Sequence, residues 1–304
     1  MKSIFAPIFF GLLAILAIAA MTGSPVFQSG LVGDSISGGR LYDNWMVALD
    51  LKAPTSDQPL WALQDENPRN GQVTWRCKEC HGWDYKGSEG AYGIGSFRFT
   101  GFPELSSMIG ASQEDVIAWL DGSNNASHNF IQFLDPNAIN DLSAFLRTMQ
   151  IDLALIIDYE TGQSLGEEQN GSRLYAAACS DCHGPDGTEI NFSSGGLPLY
   201  VGDLASVDPW HTVHVVRFGS PPRNMPGTEA RGWSLRNVAD LLAFAQTFPR
   251  GNPSYRIMND TRDDVSIDRQ GEMQPLLLGV ILILAVIGSG LLWDSLSHPD
   301  GKSP

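Results

Sequence analysis

The feature that most constrains this chain is a five-residue motif that occurs twice. Cys77-Lys78-Glu79-Cys80-His81 and Cys179-Ser180-Asp181-Cys182-His183 share the pattern C-x-x-C-H, and together they contain all four cysteines of the 304 residues. In a helical segment, residues three apart lie on the same face, so both thiols and the adjacent imidazole can reach one bound group. The pattern therefore predicts two sites, each with two thiols and one ring nitrogen.

Two cysteines and a histidine at this spacing are typical of covalent haem attachment, in which the thiols bond to the porphyrin and the imidazole binds the iron. Two other uses of the motif remain open. A thioredoxin-like thiol pair would be expected beside a βαβ pattern, which the sequence does not show, and a shared zinc site would require the two motifs to meet in a tetrahedral array. We predict two covalently attached haem c groups, with Cys77, Cys80, Cys179 and Cys182 as cofactor-binding residues and His81 and His183 as iron ligands.

A second constraint is an internal repeat around the two motifs. The sequence GRLY at 39–42 lies upstream of the first motif, and GSRLY at 171–175 runs into the second. Downstream, residues 139–146 match 238–245 at an offset of 99, and both segments show the apolar spacing of an amphipathic helix. These matches predict two tandem copies of one small helical domain.

Both halves resemble class I c-type cytochrome domains, which combine a G-x-x-L-Y helix, C-x-x-C-H, a ligand loop and a C-terminal packing helix. The resemblance extends over about residues 39–248. It implies electron transfer and an all-α fold of two tandem class I cytochrome c domains whose helices surround the haems. We place the first domain at 34–150, a linker at 151–170 and the second domain at 171–250. A proline-containing insert at 46–75 is expected to pack over the haem edge or against the other domain.

In this family the sixth ligand of the iron is usually a methionine in the loop before the C-terminal helix. Met225 occupies that place in the second half, 42 residues after His183, and a proline follows it in a polar loop. A methionine that merely filled a core would not be expected in such a loop. The resemblance therefore predicts Met225 as the sixth ligand of the second haem.

The first half departs from this pattern. Residues 116–122 match 213–219 at an offset of 97, and both segments end in glycine. Met225 follows the second glycine by six residues, and the residue in the same place of the first half is His128. We predict His128 as the sixth ligand of the first haem, with Met108 as the alternative.

Two further histidines lie on the short helix before the second glycine. We expect His211 and His214 to contact the haem edge or the propionates, or to lie at the surface. The ligand pairs also predict a direction of transfer, because a methionine ligand raises the iron potential whereas two imidazoles favour the ferric state. We therefore expect the first haem to feed the second.

Both ends of the chain carry long apolar runs. Residues 1–20 have the layout of a signal peptide or an N-terminal anchor, and 276–293 contain no charge. We predict a C-terminal transmembrane helix at 276–293, preceded by a juxtamembrane linker at 251–275 and followed by a tail at 294–304. This arrangement predicts an inner-membrane protein with its haem domains in the periplasm.

The charge balance limits the possible partners. The net charge of −15 excludes nucleic acid, because phosphate contacts need a basic face. An acidic surface favours redox partners with basic docking faces.

These features favour a membrane-anchored dihaem cytochrome c. We expect it to relay electrons at the periplasmic face, between a membrane or periplasmic donor and an acceptor in a respiratory or photosynthetic chain. Because both irons are expected to be six-coordinate, no catalytic residue is predicted. Two alternatives remain: a dihaem enzyme similar to peroxidases or thiosulfate dehydrogenases, and a cytochrome subunit of a larger membrane oxidoreductase.

Overall fold

Two pairs of long helices form the framework of the molecule, one pair in each half. The computed structural model describes residues 33–193, 196–220, 225–252 and 255, all of which belong to one unit that begins at Gly33. In the first half α1 packs against α4, and in the second α5 packs against α9. The helices of the described residues are α1 (Ser35–Ala48), α2 (Cys77–His81), α3 (Gln113–Leu120), α4 (Pro136–Thr148), α5 (Glu168–Ala178), α6 (Ser180–His183), α7 (Val201–Val207), α8 (Pro209–Phe218) and α9 (Leu235–Ala245).

Short polar side chains begin most of the longer helices. The Asp34 carboxylate accepts hydrogen bonds from the first amides of α1, and Asp135 caps α4 in the same way. Asp208 caps α8 and Ser234 caps α9, while proline occupies the first position of both α4 and α8. These caps satisfy amides that have no partner within a helix, so the sequence itself sets where the helices start.

The close approach of each helix pair depends on a glycine. A Cβ atom added to Gly38 of α1 would lie 2.0 Å from the carbonyl oxygen of Asp141 in α4. A Cβ atom added to Gly171 of α5 would lie 1.9 Å from the carbonyl oxygen of Asp240 in α9. No side chain can be accommodated at these distances, so both helix pairs share one packing arrangement.

Each half has its own apolar core, and each core includes at least one aromatic side chain from the other half. The first core surrounds α1, α3 and α4, but it includes Phe218 from the end of α8. The second surrounds α5, α8 and α9, but it includes Trp83 and Tyr92, which follow the first C-x-x-C-H motif. Because burial of a large aromatic ring contributes about 2–3 kcal/mol, this exchange joins the two halves tightly.

A buried histidine completes the contact between the halves. His214 of α8 is 1 % exposed; its Nε2 lies 2.9 Å from the carbonyl oxygen of Gly39 and its Nδ1 2.9 Å from the Tyr85 hydroxyl. A carbonyl oxygen can only accept, so Nε2 carries the proton and Tyr85 donates to Nδ1. Beside it, the ring of His211 stacks on Trp83 at a centroid distance of 4.6 Å. The expectation that these histidines reach the haem edge or the surface is therefore wrong for His214.

We expect this histidine to make the molecule less stable in acid. Burial lowers the pKa of His214 to about 3, whereas an unfolded histidine titrates near 6.5. As the pH falls, the histidine of the unfolded state therefore binds a proton before that of the folded state. The contribution of His214 to the free energy of unfolding is fully present above pH 6.5, and it is lost by about 1.4 kcal/mol per pH unit as the pH falls towards 3. The free energy of unfolding, measured with urea between pH 7 and pH 5, should depend less steeply on pH in the variant His214→Gln than in the unmodified protein. An equal slope in both proteins would contradict the assignment.

The prediction of an all-α fold is wrong in one respect. Strands β1 (Gly219–Ser220) and β2 (Met225–Pro226) form a two-stranded antiparallel sheet in which Gly219 pairs with Pro226 and Ser220 with Met225. The chain leaves α8 at Gly219 with a φ of +86°, a conformation that glycine adopts without strain. The chain can therefore turn back at once, and its backbone groups pair across the loop instead of extending the helix.

The prediction of a membrane protein with a single C-terminal span also has to be corrected. Among the residues that the structure describes, no helix is long and apolar enough to cross a bilayer. The longest of them, α1, has 14 residues, whereas a span needs about 20 apolar residues. The segments 1–20 and 276–293, from which that prediction was made, lie outside the described residues.

Candidate haem sites

Both C-x-x-C-H motifs form a short helical turn that ends at a glycine. In the first half Gly82, with φ 74° and ψ 166°, follows α2, and in the second Gly184, with φ 77° and ψ 169°, follows α6. Other residues rarely adopt a positive φ of this kind, so the glycine stops the helix directly after the histidine. The two motifs thus leave their helices in the same backbone conformation.

A tyrosine from the first helix of each half binds the end of the motif. The Tyr42 hydroxyl donates to the carbonyl oxygen of Gly82 at 2.6 Å, and the Tyr175 hydroxyl donates to that of Gly184 at 2.8 Å. These are the tyrosines of the repeated sequences at 39–42 and 171–175. The repeated tyrosine therefore has a structural role, because its hydrogen bond holds the end of each motif against the first helix of that half.

In the first half, two imidazole rings face each other across a cavity. The ring centroids of His81 and His128 are 6.4 Å apart, and the ring planes make an angle of 78°. The Nδ1 atom of His81 lies 2.9 Å from the carbonyl oxygen of Pro103, and that of His128 lies 2.7 Å from the carbonyl oxygen of Trp119. Since each carbonyl can only accept, both Nδ1 atoms carry the proton and both Nε2 lone pairs are free for a metal.

This spacing fits one metal ion between the two rings. Two metal–imidazole bonds of about 2 Å, with about 1 Å more from each nitrogen to its ring centre, place the centroids roughly 6 Å apart. Desolvation lowers the pKa of His81 to about 4 and also lowers that of His128, so both rings are neutral, as ligands must be.

The lining of the cavity around these rings suits a porphyrin. It has a volume of about 330 Å³, and Cys77, Cys80, His81 and His128 all line it. Met108, the alternative sixth ligand, lines it as well. Most of its remaining wall is apolar and includes Leu105, Val116, Leu120, Phe130, Leu142 and Leu146. An apolar wall with one pair of opposed imidazoles and two adjacent thiols suits a haem c with two histidine ligands.

The structure does not favour the other two uses of the motif. All four cysteines are unpaired, and burial raises the pKa of Cys77 to about 12 and that of Cys179 to about 11. A redox-active thiol pair would instead need a lowered pKa. Within the described ranges no three His, Cys, Asp or Glu side chains are placed to bind one metal ion together, so the structure gives no support to a zinc site shared by the two motifs.

The four residues predicted to hold the second haem are half-buried or exposed. His183 is half-buried; its Nδ1 is buried and has no hydrogen-bond partner among the residues described, and burial lowers its pKa. Cys179 and Met225 are half-buried, and Cys182 is exposed. An imidazole with two thiols, followed by a thioether in the later loop, is a donor set that suits a haem rather than a zinc ion.

Residues 166–244 match the family model of cytochrome c oxidase, cbb3-type, subunit III. This part of the chain therefore has the character of a c-type cytochrome domain, which implies covalently bound haem c and a role in electron transfer. The match runs from just before α5 into α9, so it includes the second motif and Met225. No curated protein is significantly similar to the chain.

The loop that holds Met225 in the cytochrome domain has a counterpart in the first half. Gly122 and Gly219 open the two loops with φ values of 85° and 86°. In the first half the residue directly after His128 pairs with Asp121, and in the cytochrome domain the residue directly after Met225 pairs with Gly219. Both loops are thus closed by an antiparallel bridge next to the predicted ligand.

The groups that orient the two imidazoles of the first half could not be predicted from the sequence. The acceptors are the backbone carbonyls of Pro103 and Trp119, and a backbone carbonyl gives no signal in residue type. The same holds for Gln58, which reaches the loop of His128 from the insert. A long proline-containing insert before the motif was the available signal, but its contacts could not be derived from the sequence.

Proposed function

We propose that this protein carries two haem c groups and transfers electrons between a donor and an acceptor. The opposed imidazoles of the first half carry the proposal, because their separation and free Nε2 atoms suit an iron with both axial positions filled. Two axial side chains on each iron would leave little to rearrange when an electron is gained or lost. Haem 1 is held by Cys77, Cys80, His81 and His128, and haem 2 by Cys179, Cys182, His183 and Met225.

The internal repeat supports a second haem domain in the first half, which the family match does not include. Gly38 and Gly171 allow equivalent helix contacts, and Tyr42 and Tyr175 donate equivalent hydrogen bonds. Asp141 accepts from the amide of Asp34 at 2.6 Å, as Asp240 does from Glu167 at 2.7 Å. Features this specific are expected of two copies of one domain.

The residues of each site supply different ligands to the bound haem, which itself provides a one-electron iron couple. Two neutral imidazoles, each oriented by a carbonyl at Nδ1, favour the ferric state at the first site. The thioether of Met225 favours the ferrous state at the second. We therefore expect electrons to pass from haem 1 to haem 2, and the acidic surface to favour partners with basic docking faces.

A second candidate function is that of an electron-transfer subunit in a larger oxidoreductase. The match to subunit III of the cbb3-type oxidase family favours it, because that family is named as part of a complex. Cross-linking followed by gentle affinity purification distinguishes the two, since a subunit would co-purify with other chains in fixed proportion and a free carrier would not.

The proposal is tested by counting haems and identifying their ligands. The purified protein should contain two haems per chain, and its oxidised form should show the strongly anisotropic low-spin EPR signal of near-perpendicular imidazoles. The double variant C179S/C182S should retain one haem and that signal, whereas C77S/C80S should lose the signal. One haem in the unmodified protein, or rapid carbon monoxide binding after reduction, would contradict the proposal. Catalytic reoxidation by peroxide would indicate an enzyme instead.

A further inference from the structure

The insert of the first half lies along the cavity that is proposed to hold haem 1. Helix α1 continues to Ala48, so the insert begins later than the predicted residue 46, and it contains two 3₁₀ turns, Pro59–Leu63 and Gly71–Trp75. Leu60, Leu63 and Trp75 of these turns line the cavity. The insert therefore forms part of the site and is not a peripheral loop.

One end of the insert is attached to the segment that bears the cysteines. Glu79, between the two cysteines of the first motif, is 2 % exposed and forms ion pairs with Arg69 of the insert and with its neighbour Lys78. Burial of a carboxylate is costly unless it is paired, so this contact keeps the insert against the motif.

The other attachment reaches the loop that holds the predicted sixth ligand. Gln58 is 3 % exposed, and its Nε2 donates to the carbonyl oxygen of Ser127 at 2.7 Å. Its Oε1 accepts from the amide of Leu60 at 2.6 Å, and its own amide donates to the Thr74 hydroxyl at 2.9 Å. Gln58 is thus fixed at three points within a buried environment, and Ser127 directly precedes His128.

We propose that Gln58 is a positioning residue for haem 1, which holds the loop of His128 towards the iron. The proposal rests on the proposed ligation of haem 1 by His128. The Trp119 carbonyl sets the orientation of the imidazole ring, and Gln58 restrains the backbone that carries the ring. Through the Gln58 and Arg69 contacts, the insert connects the two sides of the cavity.

The second half provides an internal comparison. There, Cys179 follows the end of α5 directly, so nothing is inserted between the first helix and the motif. Its loop carries a methionine, and Gly219 closes it through the β1–β2 ladder. A restraint from the insert is therefore specific to haem 1, and its loss should leave haem 2 unchanged.

The variant Gln58→Glu tests this inference in the full-length holoprotein. The carboxylate keeps an acceptor for the Leu60 amide but loses the donor to Ser127. Cyanide is added to the oxidised protein; loss of the bis-histidine EPR signal reports haem 1, and the methionine–iron charge-transfer band reports haem 2. We expect cyanide to bind at haem 1 about tenfold faster or more, because one buried hydrogen bond that restrains the loop is lost. The rate of cyanide binding at haem 2 should not change.

Gln64→Glu is the matched control, because Gln64 lies in the same insert and its amide donates to Asn67, also within the insert. It should react with cyanide at the unmodified rate. Gln58→Met, which also lacks the donor, serves as a second variant if the first does not fold. Unchanged cyanide binding in either folded Gln58 variant would overturn the role of Gln58. Rapid cyanide binding in the unmodified protein would instead overturn the ligation by His128.

Discussion

Replacing His128 with methionine is expected to raise the lower of the two reduction potentials. A thioether stabilises ferrous iron relative to a second imidazole, and axial ligands set haem potentials over a range of about 0.8 V. We expect an increase of roughly 0.1 V or more at haem 1 and none at haem 2, measured by spectroelectrochemical titration. The strongly anisotropic EPR signal of the oxidised protein should disappear in the same variant.

Met108→Leu is the control for this experiment, because Met108 lines the same cavity and is the other possible ligand. Leucine has a similar volume and cannot bind iron, so neither potential should change by a comparable amount. A large shift in Met108→Leu together with none in His128→Met would assign the sixth position to Met108.

Replacing Gly171 with alanine is expected to destabilise the second half strongly. The new Cβ atom would lie 1.9 Å from the carbonyl oxygen of Asp240, so α5 and α9 would have to separate. Overpacking of this kind costs typically about 1–3 kcal/mol, and we expect about 3 kcal/mol here. Thermal unfolding of the holoprotein should then begin on the order of 5–10 °C lower.

Two further variants make this prediction specific. Gly38→Ala should have a similar effect in the first half, where the Cβ atom would meet the carbonyl oxygen of Asp141 at 2.0 Å. Arg173→Ala, on the exposed side of α5, should change the stability by less than about 0.5 kcal/mol. If Gly171→Ala were as stable as Arg173→Ala, the close packing of α5 on α9 would be refuted.

The features of this chain whose chemistry depends on local spacing could be predicted from its sequence. The C-x-x-C-H motif predicted a c-type cytochrome, and the family match confirms this for residues 166–244. The ligand roles of His81, His128, His183 and Met225 stay predictions, as does the second haem. The offset of 97 that selected His128 has a structural counterpart, since both loops open at a glycine of positive φ and close at an antiparallel bridge.

The errors arose where long-range packing decides. His214 was expected at the haem edge or the surface, but it lies buried between the halves because Tyr85 and the Gly39 carbonyl satisfy both ring nitrogens. The short sheet at Met225 was missed because two-residue strands show no periodicity. The span was inferred from hydropathy alone, and the helices of the described residues include none of that length.

By itself, the sequence indicated the attachment motifs and the caps that start the helices, because each depends on residues within a few positions of one another. It also showed the repeat, because the two copies match at nearly constant offsets of 97 and 99. Only the tertiary structure decided which carbonyls orient His81 and His128, how Gln58 reaches Ser127, and which aromatic rings the two halves exchange. These contacts join residues from about 10 to 180 positions apart, through backbone carbonyls or shape complementarity that residue type does not encode.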